Sequence, residues 1–211
     1  MPVNWFDVVL LVVLAVGAFR GRQRGMSSEM IVMLQWLVIV VIGSLYYAPI
    51  GRSIAGYLNL SLLAANITAY LALVIVIKFL FTWIRGLIGE KLMASDLFGN
   101  SEYYLGIMAG MVRYAAVLVV VLAVLNARLI TSEQLAATAK VQQDNFGDIK
   151  FPTFGSMQYD VFKRSVSGPF IRKHLSAQLI EPTPADKMLN SKEGIKSRRQ
   201  RELDESFGST R

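Results

Sequence analysis

One arginine stands inside a run of apolar residues long enough to cross a bilayer. The stretch 106–126 reads GIMAGMVRYAAVLVVVLAVLN, and Arg113 is its only charged side chain. A hydrocarbon core of roughly 30 Å takes about 20 helical residues at about 1.5 Å each, so a helix entering near Tyr103 puts Arg113 close to mid-depth. A guanidinium there costs at least ~2.5 kcal/mol and turns toward a carboxylate, a bundle interior or a water-filled path. Asp7, in the first apolar block, and Glu29, at the start of the second, are the carboxylates placed to answer it. Lys78, in the third block, is a further intramembrane charge, near enough to the end of its run to reach headgroups past Phe79, Phe81 and Trp83. Two chemistries fit these residues. One is a buried charge pair that fixes helix register; the other is a polar path shared by Arg113, Gln35, Asn66 and Lys78.

Two glycines precede the arginine at helical spacing. Gly106 and Gly110, with Ala109 beside them, form a small-residue face that lets another helix approach closely, from this chain or from a second copy. Further upstream, RGRQRG holds Arg20, Gly21, Arg22, Arg24 and Gly25. It lacks the glycine spacing and the Lys-Ser/Thr ending of a phosphate-cradling loop, and reads as a tight basic turn against lipid headgroups. Ser27, Ser28 and Glu29 then read as a helix start, with serine as the N-cap and the glutamate in the first turn.

Catalytic arrangements do not emerge from the remaining residues. His174 is the one histidine and there is no cysteine, which removes thiolate chemistry and leaves no ligand set for a metal. No nucleophile elbow, glycosidase pair or metalloprotease motif is present, so the expectation is a non-enzymatic protein without cofactor. The basic stretch KSRRQR at 196–201 precedes Glu202, Asp204 and Glu205, and reads as solvated mixed charge, not a nucleic-acid site.

The elements that must position these groups are apolar blocks. With 54% hydrophobic and 18% charged residues, the apolar ones concentrated in runs, the chain reads as an integral membrane protein with the lipid bilayer as its first partner. The expected fold is all-α: a polytopic four-helix transmembrane domain over 1–127, with spans at about 4–20, 29–47, 62–84 and 103–126. The first block covers only ~22 Å at the helical rise, and spans if Trp5 and Arg20 sit in opposite interfaces. No Lys or Arg precedes it and Asp7 lies at its start, so it reads as a retained helix and not a signal peptide. Residues 49–61 read as a loop or interfacial half-helix. Leu87, Ile88, Leu92 and Met93 continue the third helix beyond its span.

After 127 the composition changes. Residues 128–180 read as an amphipathic helical extension, with Thr131 and Gln134 spaced as a capping box and a helix break expected at Gly168-Pro169. Residues 181–211 read as a disordered tail. The basic turns at 20–25 and after Lys78 place those connections in the cytoplasm, and both termini outside.

The segments NWFD at 4–7, FRGRQRGMSSE at 19–29 and LGIMAGMVR at 105–113 follow one another in an order that resembles the colicin V production protein family of bacterial inner-membrane proteins. The resemblance covers roughly 4–126. Glu102 and Tyr103 stand where that family often has an Asp-Arg pair, and Tyr114 where it has glycine. The resemblance implies an inner-membrane accessory or scaffold in toxin production or export and envelope homeostasis, with an unknown envelope or secretion protein as partner. The competing expectation is an oligomeric channel or transporter component, which with so few spans requires a homo-oligomer.

Overall fold

Asn4 starts the first helix with a reciprocal cap: its side chain accepts the Trp5 amide at 2.7 Å, while its own amide donates to Asp7 at 3.0 Å. From there α1 runs over Trp5–Leu58, α2 over Leu62–Met93 and α3 over Glu102–Asn126. The computed structural model describes residues 4–93, 99–147 and 151–185. Among the described residues, three helices are long and apolar enough to cross a membrane: Trp5–Leu58, Leu62–Leu87 and Glu102–Asn126.

The first of these holds 54 residues and is not straight. At about 1.5 Å per residue it would measure roughly 80 Å, far more than a bilayer. Gly25 interrupts it with φ 74° and ψ 167°, a conformation costly for any residue with a Cβ. The contacts on either side of Gly25 run in opposite directions. In the first arm, 5–24, Gly17 lies against Gly110 and Gly21 against Gly106, so this arm is antiparallel to α3. In the second arm, 26–58, Ser27 meets Glu102 at the start of α3, and Tyr47 meets Glu181, whose neighbour Ile180 is bonded to Asn126 at the end of α3. Gly43 packs on Tyr70 and Gly51 on Asn66, which sets α2 antiparallel to the second arm.

Two sequence expectations are corrected here. The basic turn at 20–25 is helical through Arg24, and the reversal is confined to Gly25. Arginine is a good helix former, and Gly21 is used for close approach, not for flexibility. Pro49 does not end the second block either. The helix passes through it to Leu58 and stops at Asn59, a left-handed cap at φ 51°.

The surface of these helices is inverted relative to a soluble protein. Val12, Leu45, Ile75 and Phe79 are exposed, whereas Glu29, Gln35, Asn66 and the glycines at 17, 21, 43, 51, 106 and 110 are buried. Ile39, Tyr70, Val120 and Ala123 form the apolar interior with Phe6 and Tyr47.

The extension consists of α4 (Ser132–Phe146), α5 (Phe154–Tyr159), a π-helical turn (Asp160–Arg164) and α6 (Ser167–His174). The capping box forms as Thr131 and Gln134 predict. Gly168-Pro169 lies in the first turn of α6 instead of separating two helices; the break falls at Ser165, where the backbone is extended. Proline suits a first helical turn because no amide partner is needed there. Val161, Phe162, Ile171 and Ile180 bury themselves on the end of the bundle marked by Asn126.

A polar clasp fixes this docking. The Gln158 amide donates to the Leu125 and Arg128 carbonyls, Asn126 donates to the Ile180 carbonyl, and Thr183 exchanges backbone bonds with Ala127 and Leu129. The expected tail boundary at 181 therefore falls inside a held segment, and 186–211 lie outside the described residues.

The glycine contact can be tested by its sign. A methyl group at Gly106 would lie 2.5 Å from the Gly21 carbonyl oxygen and 2.9 Å from the Gly25 Cα, so Gly106→Ala is expected to cost about 1–3 kcal/mol. Gly86 has nothing within 4 Å of such a methyl, and Gly86→Ala should leave stability unchanged or raise it by up to about 1 kcal/mol. Thermal midpoints of the two purified variants in one detergent would check this.

Candidate functional site

The close approach of the first arm to α3 brings the start of the second arm beside α3 as well. Glu29, two residues beyond Ser27, turns inward and is 1% exposed. Arg113 reaches it with one nitrogen: Nη1 donates to both carboxylate oxygens, at 2.7 and 2.9 Å. The Arg113 side chain is 17% exposed, and its Nε is buried without a hydrogen-bond partner. Arg24 adds a second cation at 3.2 Å from Glu29 Oε1, from a half-exposed position. Of the two carboxylates the sequence offers for Arg113, Glu29 is the one the fold supplies.

A second carboxylate stabilises the helix break beside this pair. Glu102 accepts the Ser27 amide at 2.6 Å and the Ser27 hydroxyl at 3.0 Å. The second arm's exposed amides are thus capped from α3, not by the local serines that the sequence suggests. Around them, Arg20 donates to the Tyr114 hydroxyl at 3.0 Å, Arg22 lies 4.6 Å over the Tyr103 ring, and Arg113 lies 5.3 Å from the Tyr114 ring. The three arginines of the basic stretch therefore each meet a named partner on α3 or on Glu29.

Asp7 does different work at the other end. Its carboxylate accepts the Val166 and Ser167 amides at 3.1 and 3.0 Å and the Ser167 hydroxyl at 2.7 Å, capping α6 from α1. Asn4 reinforces this by donating to the Asp160 carbonyl at 3.0 Å.

Lys78 is exposed, with its ammonium 5.6 Å from the Trp36 ring centroid. Gln35 and Asn66 are buried, the latter against Gly51 with its Oδ1 unpaired. Among the described residues no hydrogen bond or ion pair joins Arg113 to Gln35, Asn66 or Lys78. Gly106, Ala109 and Gly110 are buried within the chain, facing the first arm. Gly17, Gly21 and Gly25, their partners, were visible in the sequence as glycines four residues apart; Glu102 left no such signal.

Spanning-length helices with apolar exteriors and charged groups paired inside define an integral membrane protein. The Colicin V production protein family matches residues 6–143, well over half of the chain, and the chain belongs to that family. The match extends past α3 into α4, further than the motifs at 4–113 reach. No curated protein and no solved structure matches the chain.

Removing one member of a buried pair leaves the other uncompensated, at about 3–5 kcal/mol. Arg113→Leu is expected to lose most of its folded yield, and Glu29→Gln in the same chain should restore part of it; detergent-extracted yield and size-exclusion profile give the readout. Asp7→Asn should not rescue Arg113→Leu. On its own, Asp7→Asn is expected to weaken the docking of 160–174 by about 0.5–2 kcal/mol, seen as faster proteolysis of the extension with the bundle intact.

Proposed function

We propose that this chain is a non-enzymatic accessory or scaffold protein of the bacterial inner membrane that crosses the bilayer four times and serves toxin export or envelope homeostasis. The observation that carries the reading is the Glu29–Arg113 pair: the charge inside the apolar run of α3 is answered by the chain's own carboxylate, as a fixed structural element requires. Family membership points the same way. The two arms of α1, reversed at Gly25 and each long enough for a thin bilayer, supply the first two crossings; α2 and α3 supply the others.

Orientation follows from charge. Arg20, Arg22 and Arg24 sit at the Gly25 end, which the positive-inside rule assigns to the cytoplasm. The first turn of α1 and the docked extension share the opposite end, so both face the periplasm. There the extension is the surface offered to an envelope or secretion partner, and a second copy is a further candidate for the exposed helix faces.

The test is a pair of reporters fused after Arg211, one active only in the periplasm and one only in the cytoplasm. A periplasmic signal is expected. A cytoplasmic signal would invert the bundle or remove one crossing, and would move the partner search to the cytosol.

A further inference from the structure

Beside the first turn of α1, α4 stands away from the bundle. It has no buried residue, and it faces 151–160 across an open groove of about 1220 Å³. Leu135, Ala136, Ala139, Phe151 and Met157 give the groove apolar walls. Trp5, Tyr159 and Asp160 lie together in its lining, and Asp160 is the one charged residue there among the described residues.

Asp160 is only lightly engaged. The Trp5 indole donates to Oδ2 at 3.4 Å and Arg164 lies 3.8 Å from Oδ1, a loose exposed pair worth little. Its oxygens keep acceptor capacity for an incoming N–H donor. Next to it stand two aromatic rings, Trp5 and Tyr159, and on the same turn, outside the groove lining, two exposed cations: Lys163, whose ammonium lies 5.6 Å from the Tyr159 ring centroid, and Arg164. A carboxylate flanked by aromatics suits a primary ammonium, and cations one turn on suit the phosphate to which such an ammonium is tethered.

An exposed apolar row on α1 leads away from Trp5, which lines the groove. Trp5, Val9, Val12 and Val16 fall at intervals of four, three and four residues on one face of α1, all exposed, and Phe19 continues the row. From Trp5 to Phe19 this row spans about 21 Å, more than half of a bilayer's hydrocarbon thickness. An apolar track for a tail thus meets the carboxylate end of a groove that is large enough to take a phospholipid head. Tryptophan at that junction is the residue type found at membrane interfaces.

We infer that the groove between α4 and the Asp160 turn is a binding site for a zwitterionic phospholipid bearing a primary ammonium, its head at Asp160 and one acyl chain along the Trp5–Val16 face. The lipid enters sideways from the leaflet at the Asn126 end of the bundle.

The chain has three tryptophans, so Trp36→Phe with Trp83→Phe leaves Trp5 as the only one. The full-length protein in this background is reconstituted in phosphatidylcholine vesicles that contain, at equal mole fraction, bromine-labelled acyl chains on phosphatidylethanolamine, phosphatidylglycerol or phosphatidylcholine. Expected is several-fold stronger quenching of Trp5 by the ethanolamine lipid. Asp160→Asn keeps an acceptor for the indole and removes the charge, and should bring the three lipids level. Ala139→Phe, which narrows the groove without touching Asp160, should lower quenching by the ethanolamine lipid toward that of the others. Equal quenching by all three lipids in the unsubstituted groove would overturn the inference, since Trp5 would then be reporting bulk bilayer. So would absence of quenching, or a preference that survives both Asp160→Asn and Ala139→Phe.

Discussion

The bundle depends on how closely two backbones approach. Gly21 on one helix meets Gly106 and Gly110 on another backbone to backbone, with Gly17 and Gly25 continuing the contact beside Tyr114 and Glu102. In a bilayer, helices gain nothing from hiding apolar surface from each other, because lipid is as apolar as leucine; they associate through dispersion at short range and through polar groups that find partners. The glycines supply the first, and their location fixes the second. Because the first arm lies directly on α3, the residue after the reversal emerges beside α3 too, and Glu29 comes within 2.7 Å of Arg113. Widening the contact by one methyl group would move both the reversal and the pair.

Long-range caps are the second organising device. The start of the second arm takes its cap from Glu102 and the start of α6 from Asp7, each a carboxylate from a helix distant in sequence. A local serine could satisfy the same amides in water. A carboxylate from a neighbouring helix satisfies them and ties two elements together. Asp7 and Glu29, both plausible partners of the intramembrane arginine by sequence, thereby divide: one closes the periplasm-facing end in the proposed orientation, and the other neutralises the interior charge.

Much of this was legible in the chain. The spanning runs, the exceptional place of Arg113 and the capping box at Thr131 follow from composition and spacing. The small-residue face at Gly106 and Gly110 was legible as a face, but its occupant was not, since GxxxG is equally good for a neighbour in the same chain or another copy. What failed was local reading of residues whose role is set by a distant contact. Arg20 to Arg24 look like a turn because arginines and glycines crowd together, yet helical hydrogen bonding persists until Gly25, which adopts a positive φ. Pro49 looks like a terminator, yet packing on α2 carries the helix past it. Glu102 looks like an ordinary first-turn acid, and nothing in its neighbourhood announces Ser27. The chemistry of the Asp160 end was likewise hidden, because Trp5 and Asp160 meet only in the fold.

The clasp between the first turn of α1 and the extension carries a consequence for biosynthesis. Asn4 and Asp7 leave the ribosome well before Asp160, Val166 and Ser167, which are about 160 residues behind them. At about 5–20 residues per second, their partners are not even made until roughly 10–30 s later. During that interval the end of the first helix must remain accessible while the later helices are inserted. The extension therefore docks on a site made well before it, and a nascent chain halted before residue 160 would leave that end of the bundle open.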